Sequence, residues 1–261
     1  MLPLADTHVH LLAGLDDGPT SLGEAVAMCR KLVADGTRFA TALAHQNPDY
    51  PENDAARLRD AAAALVAELA KENVPLTVVP TGEVMLTETI LDDLDSGKVQ
   101  TVGGHGQFVL VEMPHTAFYD LRPLSRELAP RGLRMIVAHA ERYPELLFDD
   151  ALTDSFIAAG CLIQVTAGAI ADPWNAKVEA AMKHGIRRGA VHVMGSDGHG
   201  IDRRRPRMAD GYHALVRWAG QATADRIAGI WSTAVLQGLP VNPPPPCQPP
   251  AKSWFTRVFG G

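Results

Sequence analysis

Cysteine is scarce: Cys29, Cys161 and Cys247 are the only three in 261 residues, odd in number and far apart. That excludes a disulfide framework and suits a reducing compartment. Basic residues are not in excess, since 24 Lys and Arg face 30 Asp and Glu for a net charge of −6. A broad nucleic-acid footprint, which needs a basic face, is therefore not expected. No apolar run is long enough to span a bilayer. The uncharged stretch 155–171 is short for that purpose, and Gly160, Gln164, Thr166 and Gly168 interrupt it. The opening MLPLADTHVH lacks the basic and apolar regions of a secretory signal, so a cytoplasmic location is expected. A chain of this length, 46% hydrophobic, can bury about 70–75% of its unfolded surface as one α/β domain or two small ones.

Apolar, β-branched runs recur at 4–10, 39–45, 76–81, 108–113, 135–139, 162–166 and 191–196. Their continuous apolar character suits strands covered on both faces. Helical patterns lie between or after them at 21–35, 53–72, 88–96, 121–131, 149–159, 175–188 and 207–218; the first opens with a Ser-x-x-Glu capping box. Seven β-then-α units predict one parallel barrel or doubly wound sheet in a single domain. Composition breaks after Leu239, with seven of the 19 prolines falling between Pro240 and Pro250. The expected division is a folded unit over 1–239 and a proline-rich linker with a short aromatic and basic tail over 240–261. That tail, ending KSWFTRVFGG, either packs back on the domain or docks peripherally on a partner or membrane surface.

The chemistry concentrates at strand ends. His8-x-His10 follows Asp6 in the first strand, and residues two apart on a strand share a face. Two imidazoles placed this way can chelate one ion. The second strand ends at His45, the third runs into Glu83, the fourth ends at Glu112 and the fifth at His139, while the seventh leads into Asp197-x-His199. Parallel barrels build their sites at these carboxyl ends. The other histidines, His105, His115, His184, His192 and His213, read as surface or structural residues. Imidazole and carboxylate without thiolate suit Mn²⁺, Fe²⁺ or Zn²⁺. The ligands are too many for one ion, so two or three clustered divalent ions are expected, of the kind that clamp phosphoryl oxygens and generate hydroxide.

His8-Thr-His10, the run LLAGLDDG at 11–18, Gly82-Glu83, Val-Glu112-Met-Pro, Ala-His139-Ala-Glu-Arg142-Tyr and Gly-Ser196-Asp197-Gly-His199 together resemble the polymerase and histidinol phosphatase (PHP) superfamily. Within it they are most similar to the bacterial metal-dependent protein-tyrosine phosphatases of capsule and exopolysaccharide operons, from Leu2 to about Leu239. The resemblance implies a distorted seven-stranded (β/α)₇ PHP barrel. It implies one metal held by His8, His10, Glu83 and Asp197, and a second that Glu83 bridges to, completed by Glu112 and His139. Asp17, His45 and His199 would hold a third, with Asp17 preferred over Asp16 because the family's ligand directly precedes the glycine. Asp6 is expected to orient an imidazole. Four carboxylate ligands against three divalent ions leave two positive charges, which suit a phosphate monoester dianion. Mn²⁺ ranks first, with Fe²⁺ or Zn²⁺ as the other candidates.

The resemblance also assigns phosphate-binding arginines to Arg142 and, among Arg203, Arg204 and Arg205, to Arg204. Guanidinium forks match phosphate oxygens. One departure stands out, because family members commonly place another basic or histidine residue after the second-strand ligand, and here His45 precedes Gln46-Asn47-Pro48. A cysteine phosphatase is excluded, since its Cys-x₅-Arg loop would need arginine where Asp35, Ala167 and Ser253 stand. The expected activity is hydrolysis of phosphotyrosine on a protein partner, itself a bacterial tyrosine kinase of polysaccharide assembly, through a metal-activated hydroxide. A histidinol-phosphate-type small-molecule phosphatase and a scaffold or regulator of polysaccharide assembly are the alternatives.

Overall fold

The computed structural model describes residues 2–114 and 117–247, and in them seven short apolar segments become parallel strands. These are β1 (Leu4–Asp6), β2 (Thr37–Gln46), β3 (Thr77–Met85), β4 (Phe108–Glu112), β5 (Arg134–Val137), β6 (Leu162–Thr166) and β7 (Val193–Gly195). Each pairs with the next in chain order. β7 returns to the start of the chain through Thr7 N–H to Met194 O (3.3 Å), Asp197 N–H to His8 O (2.7 Å) and His10 N–H to Gly198 O (2.9 Å). The sheet thus curls into a nearly closed seven-stranded barrel, the (β/α)₇ form expected. Closure demands a close approach at Gly195, where a Cβ would lie 2.3 Å from the Cβ of His8. Any side chain there would push the first metal-ligand candidate away.

Helices cover the outside. α1 (Leu22–Ala34) is capped by Ser21, whose hydroxyl accepts from Glu24 N–H, and α2 (Ala55–Lys71) by Asp54, which accepts from Arg57 N–H. They bury Met28, Cys29 and Leu32, and Leu58, Leu65 and Leu69, against the outward side chains of β2. Each such leucine contributes about 1.5–3 kcal/mol by leaving water. α3 (Ile90–Asp95), α4 (Arg122–Leu128), α6 (Asp150–Ala158), α8 (Ala176–Arg188) and α9 (Met208–Ala219) follow the expected helical patterns, while α5 (Pro144–Phe148) and α7 (Ala167–Ala171) are short additions. α10 (Gln221–Asp225), one π-helical turn and α11 (Trp231–Leu236) extend the chain beyond the last helix expected.

Alternation along the strands decides what faces inward. Phe108, Leu110 and Glu112 stand on one face of β4, Ile136 on that of β5, and Leu162, Gln164 and Thr166 on that of β6. The apolar members meet Ala5, Leu43 and Val193 in an inner cluster that Val235 and Leu236 of α11 and Val241 complete. Beyond it, at the carboxyl ends, the inward positions turn polar. β1 breaks the pattern and corrects one expectation. The strand stops at Asp6 instead of running to His10; Ala5 faces the inner cluster and Val9 the outer one. The chain shifts phase between them, so Asp6 does not reach an imidazole. Its carboxylate accepts the backbone amides of His8 (3.1 Å) and Ser196 (2.8 Å) and pins the kink to β7.

Residues 240–247 run against the barrel. Val241 is buried, Arg134 donates to its carbonyl, and Cys247 N–H donates to Arg188 O at 2.7 Å. The aromatic tail lies outside the described residues, as does His115. His192 is a structural histidine: its Nδ1 accepts from Ile163 N–H at 2.9 Å, and burial holds its pKa down to about 3.

Candidate metal centre

Strand ends carry the polar residues because an inward side chain there leaves the apolar core yet stays enclosed by neighbouring loops. Glu83 sits at the centre. Its Oε1 lies 2.9 Å from His139 Nε2 and 3.2 Å from His8 Nε2, and its Oε2 lies 3.1 Å from His45 Nδ1 and 3.3 Å from His10 Nε2. Glu112 approaches His45 (3.5 Å) and His139 (3.7 Å). Asp197 approaches His8 (3.5 Å), and Asp17 approaches His199 (3.1 Å) and His45 (3.5 Å). The imidazoles pack together, with His10 stacked on His199 at 3.7 Å between ring centroids.

All nine candidate ligands therefore converge. They form four overlapping groups, each tight enough for one ion: His10, Asp17, His45 and His199; His8, His10 and Asp197; His8, Glu83 and His139; and His45, Glu83 and Glu112. The grouping differs from the three sets that the resemblance implies, in that His8, His10 and His45 each belong to two groups. The donor set fits divalent ions on a further ground. His8 Nε2, His10 Nε2, His45 Nδ1, Glu83 Oε2, both Glu112 oxygens and His199 Nε2 are buried and have no hydrogen-bond partner. Orphaned polar atoms cost about 1–3 kcal/mol each, and cations shared among them remove that cost.

Charge is held tightly at the same place. Burial opposes charge on His10, but the Asp16 carboxylate outweighs it and raises the imidazole pKa to about 10. Burial is likewise outweighed at His139, where Glu112 and Glu83 raise the pKa to about 9. His199 goes the other way, to about 4, through burial and then the neighbouring His10 and Arg204. The backbone is strained where ligands project: His139 and Asp197 adopt φ of 33° and 54°. Left-handed backbone in such residues costs about 1–3 kcal/mol and clusters at functional sites.

Both candidate arginines reach this centre. Arg142 Nη2 meets Asp197 Oδ2, and Arg204 bridges Asp17 (3.1 Å) and Asp197 (3.2 Å). Their side chains remain 36% and 46% exposed, so the guanidinium groups stand between the carboxylates and solvent. Gln46, the departure noted after His45, faces away from the centre. Its amide joins Asn53 O, Lys98 O and Gln100 N–H, and it fills the space that a Cβ on Gly82 would need.

Three residues that the motif reading passed over support the ligands. Asp16 Oδ2 lies 2.6 Å from His10 Nδ1 and also accepts His45 N–H (3.0 Å). Gln164 Oε1 lies 2.9 Å from His8 Nδ1, while its Nε2 donates to Thr7. Glu141 accepts from both the amide and the hydroxyl of Thr166, anchoring the loop that carries Arg142. Gln164 had a signal in the sequence, as an amide on the inward parity of an apolar strand. Asp16→Asn should keep the fold and lower metal affinity about 10–100-fold, because the imidazole loses the anion that fixes its orientation. Metal titration followed calorimetrically checks this; unchanged affinity would make Asp16 a loop anchor only.

Comparison with known proteins supplies the chain's relatives. A family model for capsular polysaccharide synthesis proteins, CpsB/CapC, matches residues 4–237. Tyrosine-protein phosphatase YwqE of Bacillus subtilis is 26% identical over 219 residues, covering 83% of this chain and 85% of its own. Tyrosine-protein phosphatase CpsB of Streptococcus pneumoniae is 25% identical over 231 residues, covering 86% and 94%. A crystal structure from work on these two proteins, described as unique metal-dependent tyrosine phosphatases, superposes with a TM-score of 0.86. It is 24% identical and covers 94% of this chain and 99% of its own, which establishes the shared fold.

Proposed function

The chain belongs to the CpsB/CapC family of capsular polysaccharide synthesis, and we propose that it is a metal-dependent phosphomonoesterase acting on phosphotyrosine in a protein. The observation that carries this is the convergence of nine imidazole and carboxylate ligands with two arginines at one open barrel mouth. His8, His10, Asp17, His45, Glu83, Glu112, His139, Asp197 and His199 would hold two or three divalent ions, Mn²⁺ first and Fe²⁺ or Zn²⁺ next. Bound there, such ions supply Lewis acidity toward phosphoryl oxygens and acidify water. Glu83, touching four imidazoles, is the residue placed to bridge. Arg142 and Arg204 take the remaining phosphate oxygens and neutralise charge that builds up on them. A phenolate leaves readily, having a reference pKa near ~10, so no general acid is assigned. The relatives named as tyrosine phosphatases favour a phosphotyrosyl protein. The partner we propose is a tyrosine kinase of polysaccharide assembly. Among the described residues no helix is long and apolar enough to cross a membrane. The cytoplasm is the compartment we propose, in keeping with three cysteines that form no disulfide.

The deciding experiment compares a phosphotyrosyl peptide, histidinol phosphate and a phosphoseryl peptide on the metal-loaded chain. The phosphotyrosyl peptide should have the highest kcat/KM. Preference for histidinol phosphate would move the protein to the small-molecule class, and absence of all three activities would leave a scaffold.

Arg142→Ala should raise KM and lower kcat/KM roughly ten- to a hundredfold, the cost of about 1.5–3 kcal/mol for a lost charge-assisted hydrogen bond. Arg142→Lys restores charge without the fork and should recover only part. Metal content should stay near that of the parent, because Asp197 keeps Arg204 as its cationic neighbour. Unchanged kinetics in Arg142→Ala would leave phosphate binding to Arg204 and the ions.

A further inference from the structure

We propose that the cleft beside the metal centre seats the polypeptide flanking the phosphotyrosine and selects chains with lysine or arginine next to it; this rests on the phosphatase reading above. The cleft measures about 410 Å³ and lies between the loop after β2 and the segment from the end of β3 into α3. Tyr50 forms the wall that it shares with the metal centre: its ring lies parallel to that of His45, 5.8 Å away between centroids. Val84, Met85 and Ile90 supply apolar lining. An extended chain advances about 3.3 Å per residue, so the two or three residues beside a phosphotyrosine held at the mouth are the ones that reach this space.

Charge identifies the partner. Segments 46–54 and 84–93 hold six carboxylates and no lysine, arginine or histidine; Asp54 and Asp93 line the cleft itself, and Asp49, Glu52, Glu88 and Asp92 adjoin its lining residues in the chain. Lys98 also lines the cleft, but its Nζ is engaged 3.2 Å from Asp93 Oδ1. Asp49, Glu52 and Glu88 engage no cation among the described residues. Arg142 stands against Asp197, and Arg204 against Asp17 and Asp197. The arginines thus offer cations to the phosphate dianion, while the two segments offer anions to what flanks it. An acidic peptide would be repelled from the cleft, and a basic one drawn into it.

The test uses the full-length, metal-loaded protein and three substrates: p-nitrophenyl phosphate, a phosphotyrosyl peptide flanked by lysines, and the same peptide flanked by glutamates. The parent protein should favour the lysine peptide about tenfold or more in kcat/KM, and the preference should shrink as ionic strength rises from about 0.05 M to about 0.5 M. Asp49→Lys with Glu88→Lys should bring the ratio near one or invert it, and the milder pair Asp49→Asn with Glu88→Gln should move it the same way if the reversal disturbs folding. Equal turnover of the two peptides by the parent, or a ratio unmoved by both pairs, overturns the inference while the phosphatase reading stands. Failure to hydrolyse any of the three would fall on the phosphatase reading itself, and the cleft assignment would go with it.

Discussion

Stripping divalent ions from the protein should abolish turnover of phosphotyrosyl peptide, whereas thiol alkylation should leave it largely intact. The first half follows from His8 Nε2, His10 Nε2, His45 Nδ1, Glu83 Oε2, both Glu112 oxygens and His199 Nε2, which are buried and make no hydrogen bond within the protein. The second follows from the cysteines. Cys29 and Cys161 are buried, and burial pushes their thiols up to about 12 and about 11, far from the thiolate a nucleophile requires. Cys247 is exposed and lies against Arg188 rather than the metal centre. Chelation should also lower the melting temperature. Ions present at a hundred times their dissociation constant stabilise a fold by about 2.7 kcal/mol, which for a domain of this size is roughly 5–10 °C. Calorimetry with and without chelator, paired with elemental analysis, reads both effects. Full activity in protein shown to be free of metal, or inactivation by alkylation with metals still bound, would overturn the assignment.

Period-two alternation is why His45, Glu83 and Glu112 could be read in the sequence, while the candidates beyond the strand ends were legible only through their motifs. A carboxylate at the end of β4, two places beyond Leu110, has to face inward, and Glu112 does. The same parity carries Leu43 to His45 on β2 and Leu162 to Gln164 on β6. It failed at β1, where Asp6 is held by the amide of Ser196, 190 residues later in the chain; a kink fixed by so distant a contact leaves no local trace. Asp16 and Asp17 show another limit. Adjacent carboxylates differ in role only through the loop geometry that turns Asp16 onto His10 and Asp17 onto His199. The three consecutive arginines are of the same kind, since the positive φ of 49° at Arg204 is part of the turn that aims that one at Asp197. α10 and α11 leave no clear pattern because residues 221–236 divide their buried side chains between the outer cluster (Ala224, Ile227, Ala228) and the inner one (Val235, Leu236), without the long amphipathic period that marks α1 or α9.

Glu83→Gln should be the most damaging single substitution in the molecule. The replacement preserves shape and removes one negative charge from the side chain that contacts His8, His10, His45 and His139 at 2.9–3.3 Å. Those contacts hold the Glu83 carboxyl well below the ordinary carboxylate range against the opposing effect of burial, His8 contributing most. An amide NH₂ in place of one oxygen would point a donor at imidazole nitrogens that must present lone pairs to an ion. Removing one partner of a buried charge pair costs about 3–5 kcal/mol, which corresponds to a loss of roughly 150- to 5,000-fold. Metal content and kcat on p-nitrophenyl phosphate should fall together, because one side chain serves more than one ion. Glu112→Gln provides the contrast: Glu112 approaches His45 and His139 at the longer distances of 3.5 and 3.7 Å, so its loss should empty part of the centre and cost less. Circular dichroism should show the barrel intact in both, since the inner apolar cluster contains neither residue. Full metal occupancy with a near-normal rate in Glu83→Gln would mean that the ions are held without a bridge and that Glu83 is only a neighbour of the four imidazoles.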